Sequence, residues 1–416
     1  MGDLLIVERL RIVYAAGPGD VIGTFQHWLR GRDDPSQVSV TYSGQFYDAC
    51  KELQMESYII ASSSIPGYLK MGTFTLVHRP ILFERCSAPA YHLGQLLSGI
   101  GLLLRALRFR ADGVVVSNGS ANWASLALLR VFGIEVIPSL HCVLWEKSKP
   151  LRYGGRVVKW LDSWFFKRVP SSILSASRDI TEQIEQFTNK RHARIFEFLP
   201  TYRREEFARS ESPPQLRSPF RVFYAGRIEK DKGVFDLLEV ASRFTLAGRD
   251  DIVFDLCGTG SALEELREKS ILRNLKERFR LHGQCSNSIM RRMFGQSHVV
   301  IVPTTSDFRE GFNQVVAEGV LSGRPVITSN VCPALHYVRD AVVEVPPDDV
   351  EAYANAILKL LEDVELYEAK RAACIALQSP FYEAERGWGA ALREAILLMK
   401  SSAGGDPIGH KQQLRL

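Results

Sequence analysis

No two cysteines in this sequence stand at C-x-x-C spacing. The seven present (Cys50, Cys86, Cys142, Cys257, Cys285, Cys332 and Cys374) are scattered and odd in number. That argues against a disulfide framework or a zinc ribbon, and for a reducing compartment. The opening MGDLLIVERLRIVYAAGPGD lacks a basic n-region followed by a long apolar stretch, so no secretory signal is read there. The longest apolar run, Leu93 to Leu107, is interrupted by Gln95, Ser98 and Arg105. It is too short and too mixed to span a bilayer, and reads as a buried helix. These absences point to a cytoplasmic protein. Tandem repeats and low-complexity tracts are also missing.

Two further absences exclude enzyme classes. Gly17-Pro18-Gly19-Asp20 lacks the Gly-Lys-Ser/Thr of a P-loop, which argues against an NTPase. Cys257-Gly258-Thr259-Gly260 lacks the third glycine of a dinucleotide fingerprint. A tight turn is the simpler reading, and a dinucleotide-dependent oxidoreductase is disfavoured.

What is present is a chain of 416 residues, 46% hydrophobic and 24% charged. That is ordinary globular composition and more than one core usually serves, so two domains are expected. The net charge of +5 is unevenly placed. Residues 1–210 carry 26 Lys and Arg against 19 Asp and Glu, and the remainder carries 26 against 28. A basic first half suits an anionic partner such as a phospholipid surface, a lipid-diphosphate acceptor or an anionic glycan; it is equally compatible with a solvated basic face. Nothing points to nucleic acid.

The first half alternates candidate strands (10–15, 57–61, 74–78, 113–117, 135–140, 173–177, 194–198) with helical patterns at 93–110 and 122–132. Residues 205–219, with a Pro-Pro pair and no periodicity, read as a linker. A second αβ series follows: strands at 220–225, 252–257, 278–282, 298–303 and 325–329, and helices at 234–244, 262–275, 288–295, 313–322 and 350–362. Such alternation implies two Rossmann-like, doubly wound parallel-sheet domains, 1–210 and 217–380. A last helix, about 383–400, and a disordered tail, 401–416, complete the expectation. Ligands of such sheets sit beyond the carboxyl ends of the strands, so two sheets face each other across a cleft.

Four features carry candidate chemistry. Glu310 to Glu318 (EGFNQVVAE) follows the strand HVVIVP and opens a helix, where unpaired N–H groups and the dipole favour phosphate. Gly311 lets backbone approach a ligand. Glu310 and Glu318 lie at most about 12 Å apart along the axis, roughly the reach of a pyrophosphate. One carboxylate would take sugar hydroxyls and the other ribose hydroxyls; alternatively, both are surface glutamates. In AGRIEKDKG, Arg227 and Lys232 follow the first strand of the second series. They are placed to clamp a diphosphate without a metal, or are simply solvated. His141 closes the strand EVIPSL, where it would donate to a substrate or move a proton, unless it is structural. Lys147–Pro170 is basic and aromatic, as in a membrane-surface helix or a core helix with a basic rim.

Taken together, YAGRIEKDKG, DLCGTG, RLHGQ, IVPTTSDFREGFNQVVAEGVLSGRPVIT and VPPDDVEAYANAILKLLED, in this order, resemble the family 4 glycosyltransferases (glycosyl transferases group 1) of the GT-B fold. The resemblance is clearest over 220–362. It implies that Arg227 and Lys232 bind the donor diphosphate and that Glu310 holds donor-sugar hydroxyls near the anomeric carbon. Backbone at Gly226, Gly311, Phe312 and Asn313 would support sugar and phosphate, and Glu318 the ribose. His141 would lie against the donor sugar, and Gly19 would belong to the glycine-rich first loop. The last helix would cross back onto the first domain.

The sequence departs from the family pattern in having Asn313 where glycine is usual, Gly17-Pro18-Gly19 for a double glycine, and Arg339-Asp340 for an acidic residue. Overall the resemblance implies a retaining hexosyltransferase with no bound cofactor and no metal. A UDP- or GDP-sugar would be its donor and a glycan or lipid-linked molecule its acceptor, in surface polysaccharide or lipopolysaccharide synthesis. Peripheral contact with the inner-membrane face would fit. A non-catalytic GT-B-like scaffold is the alternative.

Overall fold

A computed structural model of the chain describes residues 9–80, 88–145, 153–207, 219–307 and 309–403. The strands of the first series are β1 (Arg11–Pro18), β2 (Glu56–Ser62), β3 (Gly67–Met71), β4 (Phe74–Arg79), β5 (Gly113–Ser117), β6 (Glu135–Leu140), β7 (Ser172–Ser175) and β8 (Arg194–Glu197). Its helices are α1 (Val21–Leu29), α2 (Tyr42–Glu52), α3 (Ala88–Phe109), α4 (Ala127–Val131), α5 (Tyr153–Arg168), α6 (Arg178–Thr188) and α7 (Arg204–Phe207).

The second series has β9 (Phe220–Ala225), β10 (Ile252–Cys257), β11 (Phe279–Gly283), β12 (Val299–Val302), β13 (Val326–Ser329) and β14 (Val342–Val345). Between and after them lie α8 (Val234–Leu246), α9 (Leu263–Leu272), α10 (Asn287–Gln296), α11 (Gln314–Leu321), α12 (Leu335–Val338), α13 (Val350–Glu362), α14 (Val364–Ala376) and α15 (Trp388–Ala403).

Two sheets result, as the alternation requires. The first runs β3-β4-β2-β1-β5-β6-β7-β8 and the second β11-β10-β9-β12-β13-β14. Central strands such as β5 (GVVVS) and β12 (VVIV) are buried along their whole length, because helices cover both faces of a parallel sheet. The strand order reverses between β1 and β5 in one sheet and between β9 and β12 in the other. Those two switch points are where such sheets open a crevice. One edge departs from the parallel rule: β3 pairs antiparallel with β4.

Several expected elements are corrected. The helix 93–110 exists, but it is not buried: Leu93, Leu96, Leu97, Ile100, Leu104 and Leu107 are all exposed, while Leu102, Leu103 and Ala106 face the core. The apolar residues are too many for one face, so only one side of α3 finds a sheet to cover. The helix 122–132 is a 3₁₀ turn, Trp123–Leu126, followed by the short α4. The last helix begins at Trp388, since residues 379–387 form tight turns after Pro380.

Of the expected linker, residues 204–207 form α7, and 208–218 lie outside the described residues; so do 404–416 of the expected tail and 146–152 of the basic stretch. Within α5, Phe165 and Phe166 are fully buried, whereas Val157, Trp160 and Trp164 are exposed. The helix is thus both a core element and an apolar surface. No helix of the described residues is long and apolar enough to cross a membrane. The described cysteines are free thiols.

The chain passes between the two sheets twice. After the second sheet is complete, α15 returns and packs on α2 and β7. Trp388 is fully buried there, and its indole N–H donates to Ser139 Oγ at 2.8 Å. The outgoing and returning segments are bonded to each other: Leu199 N–H donates to Arg386 O (2.8 Å) and Tyr202 N–H to Phe381 O (2.9 Å).

Candidate functional site

The second sheet supplies one wall. A small cavity of about 60 Å³ at the β9/β12 switch point is lined by Gly226, Arg227, Lys232, Glu310 and Asn313 among others. Five of the residues singled out from sequence therefore meet in one place. Lys232 Nζ donates to Glu310 Oε1, and Arg227 Nη2 stands 3.8 Å from the same oxygen. The three charges come from two loops that are far apart in sequence and adjacent only because β9 and β12 are neighbours. Two cations around one carboxylate leave a local excess of positive charge.

The loop after β9 is held by the loop after β10. Gly226 N–H donates to Cys257 O (3.0 Å) and Ile228 N–H to Thr259 O (2.9 Å). A Cβ on Gly258 would lie 1.7 Å from Gly226 O, so only glycine permits this contact. Glu229 adds a carboxylate bond to the Ser261 N–H at 2.9 Å. The CGTG turn thus supports the neighbouring loop, as the tight-turn reading has it.

At the start of α11, Asn313 is the N-cap, with φ 69° and no side-chain capping bond. This is the left-handed region, which asparagine tolerates better than most non-glycine residues. Asparagine at this position is therefore compatible with a left-handed backbone that glycine adopts freely. Phe312 is buried, its ring against Tyr337 and Phe381. It anchors the loop that opens α11. Glu318, within α11, is only 7% exposed. Its carboxylate has no hydrogen bond or ion pair with the described residues, and burial pushes its pKa up to about 7.

The first sheet supplies the opposite wall. His141 follows β6, and its N–H donates to Asn118 Oδ1 at 2.6 Å. Cys142 forms an antiparallel bridge with Glu310. A Cβ on Gly311 would lie 2.4 Å from His141 O, so backbone meets backbone across the cleft here. The His141 ring is turned toward its own sheet. Nε2 lies 2.9 Å from Ser139 Oγ, the Tyr42 ring centroid is 4.4 Å away, and Nδ1 is buried without a hydrogen-bond partner. Burial lowers its pKa to about 4, so the ring is neutral at ordinary pH. Gly19 lies apart from this cluster, its N–H donating to Ser62 O at 3.2 Å beyond β1.

Other cross-cleft bonds fix the registry. Arg178 N–H donates to Tyr337 Oη (3.0 Å) and Asn287 Nδ2 to Pro35 O (2.7 Å). Sequence reading missed Asn118, Ser139, Tyr42 and Cys142. Only the position of Asn118 and Ser139 near strand ends could have flagged them. No group of three metal-ligating side chains exists among the described residues.

Residues 206–374 match the family model described as Glycosyl transferases group 1. An alpha-D-kanosaminyltransferase of Streptomyces kanamyceticus is 24% identical over 280 residues, 64% of this chain and 71% of that protein. The solved structure of sucrose-phosphate synthase from Thermosynechococcus elongatus superposes with a TM-score of 0.66, at 16% identity, covering 95% of this chain and all of that one. Anabaena HepE in complex with UDP gives 0.63 at 13% identity, again over 95% of this chain and all of the other.

Proposed function

From the premise that this chain carries a glycosyl transferases group 1 domain on a GT-B fold, we propose that it is a retaining, metal-independent glycosyltransferase. It moves a sugar from a UDP- or GDP-sugar to a glycan or lipid-linked acceptor, with surface polysaccharide or lipopolysaccharide as the product class. The observation that carries this reading is the meeting of Arg227, Lys232 and Glu310 at the β9/β12 switch point, opposite His141 and Cys142.

Each residue then has a task. Arg227 and Lys232 neutralise the diphosphate as the bond from the anomeric carbon to the phosphate oxygen breaks, a fixed cationic environment that needs no reorganisation at the moment of reaction. Glu310 exchanges its bond to Lys232 for donor-sugar hydroxyls. Backbone N–H groups after Gly311 and Asn313 support the phosphates. Glu318, buried and unpaired, accepts from the ribose hydroxyls. Neutral His141 orients the sugar through its neighbouring backbone. The acceptor oxygen bonds to the anomeric carbon on the face the phosphate leaves, and its proton passes to the departing phosphate oxygen. Closure of the two sheets keeps water from the donor. Action in the cytoplasm, peripheral to the inner membrane, is the setting this reading implies.

The test is a thermal-shift panel of UDP, GDP, ADP and their hexose conjugates, followed by transfer assays with and without EDTA. Selective stabilisation by UDP or GDP and EDTA-resistant transfer with anomeric retention are expected. Stabilisation by none of them, together with no transfer, would overturn the reading.

A further inference from the structure

A second and larger cavity, about 290 Å³, opens at the switch point of the first sheet. It lies at the carboxyl-end halves of β1 (Ala15, Gly17), β2 (Ser62) and β4 (Arg79), beside the loop Gly119–Ser120, and α3 lines its other side. Two guanidinium groups line it, Arg79 from the strand end and Arg105 from the helix, and no Asp or Glu is in the lining. Neither arginine forms an ion pair with a described residue. Arg105 lies back over its own helix, in room left by Gly101: a Cβ there would stand 2.9 Å from its Nη1. Burial and then the like charge of Arg79 lower the Arg105 pKa. Two guanidiniums, one exposed and one half-buried, converging without a counter-ion among the described residues are unfavourable unless an anion completes them, and paired guanidiniums suit phosphate oxygens.

The cavity adjoins the reaction cleft through a single loop. Asn118 of that loop holds His141, while the next residues, Gly119 and Ser120, line the cavity. Gln95 of α3 donates to Gly119 O at 2.9 Å and ties the helix to the same loop. The cavity also opens onto an apolar surface. Leu97 both lines it and belongs to the exposed row Leu93, Leu96, Leu97, Ile100, Leu104 and Leu107. That row is about 21 Å long at 1.5 Å per residue.

The row does not stand alone. The 3₁₀ turn Trp123–Leu126 packs against both α3 and α5, and the same side of the sheet exposes Val131 (77%) and Phe132 (56%) after it and Trp160 (67%) on α5. Charge on these helices is predominantly positive. No acid occurs in α3, and α5 carries Arg156, Lys159, Lys167 and Arg168 against Asp162 alone. Exposed Leu and Trp among basic residues are the composition of a surface that meets anionic lipid.

We propose that the acceptor is a phosphate-bearing lipid, its phosphate held between Arg79 and Arg105 in the first-sheet cavity and its apolar chain laid along α3. The proposal rests on the glycosyltransferase reading for the word acceptor, though not for the binding site. The basic, apolar surface of α3 and α5 then seats the enzyme on the membrane that carries this lipid. A soluble phosphorylated acceptor would use the two arginines but leave the leucine row without a purpose.

The test uses the full chain and two probes, geranylgeranyl diphosphate below its micellar concentration and inorganic diphosphate, both with UDP at saturation to occupy Arg227 and Lys232. Wild type should bind the prenyl compound at least tenfold more tightly. Arg79→Gln with Arg105→Gln should weaken both probes about tenfold or more, and Leu97→Ser with Leu104→Ser the prenyl compound only. Circular dichroism checks folding, and Arg79→Gln alone, at an exposed strand end, serves if the double variant does not fold. Equal binding of the two probes would overturn the lipid assignment; binding indifferent to the arginines would overturn the cavity. The UDP shift of wild type is read separately. Absence of any UDP or GDP shift, together with no transfer, overturns the donor reading, and the prenyl comparison, repeated without nucleotide, still decides this one.

Discussion

Lys232 Nζ donates to Glu310 Oε1, joining the loop after β9 to the loop that opens α11. Seventy-eight positions separate the two residues, and the strand order β9-β12 alone makes them neighbours. With no donor bound, each serves as the other's counter-ion. In the proposed mechanism, a bound sugar diphosphate exchanges this pair for two new ones, Lys232 with phosphate and Glu310 with hydroxyls.

Either partner should therefore be indispensable to turnover. Lys232→Met and Glu310→Gln are each expected to lower kcat/KM about 10²–10³-fold, the usual scale for one electrostatic contact to developing charge. The double variant should fall short of the product of the two losses, because the residues act as a unit. Steady-state kinetics with a fixed acceptor measures this. Multiplicative losses would show that they work independently.

Gly311 touches His141 O where the two walls meet, and a Cβ there has 2.4 Å of space. Gly311→Ala should hold the cleft open. About a tenfold loss in kcat/KM is expected, with UDP binding by the second sheet unchanged. A matching loss of UDP affinity would place the defect within the donor loop.

Glu318 sets a pH dependence. Its folded pKa, about 7, lies above the unfolded value near 4.5, so the folded state holds a proton that the unfolded state gives up. The stability this contributes is complete below pH 4.5 and is lost as pH rises through 7, by an amount on the order of 3 kcal/mol. His141 works in the other sense: with its folded pKa near 4 and an unfolded value of 6.5, it costs stability as pH falls from 6.5 toward 4. Glu318→Gln removes the first effect alone. Its melting temperature should pass that of wild type progressively between pH 5 and pH 8, in scans at constant ionic strength. A constant difference across that range would mean that Glu318 is already ionised.

Asn313 holds φ 69° at the entry to α11. Asn313→Gly should be neutral or slightly stabilising, whereas Asn313→Val should cost about 1–3 kcal/mol, since a β-branched residue is poorly tolerated there. Urea denaturation measures both. Equal costs would show that the asparagine side chain, rather than the backbone shape, matters.

Much of the fold was legible because its signals are local. VVIV and GVVVS are uniform apolar runs bounded by turns, and a strand buried on both faces needs no other mark. The hairpin β3 was missed because GYLKM is short, largely exposed and flanked by glycine. The exposure of α3 was invisible because periodicity reports how apolar a helix is, and not which of its sides finds a neighbour. In the site, Glu310, Arg227 and Lys232 were legible as charges at the ends of apolar strands. The Asn118, Ser139 and Tyr42 cradle around His141 was not, since each is an ordinary polar or aromatic residue until the β5–β6 pairing and the returning α15 bring them together. Arg79 and Arg105 failed to register for the same reason: only the sheet edge and the helix place them over one cavity.

The two passages of chain between the sheets are bonded side by side, Leu199 to Arg386 and Tyr202 to Phe381. A single strand would let one body swivel, slide or twist against the other. Two strands zipped into one strap suppress those freedoms and leave bending as the soft coordinate. The Cys142–Glu310 contact then behaves as the latch of a lid, and Trp388, driven into the first sheet at one end of the strap, as the screw that holds its hinge leaf in place.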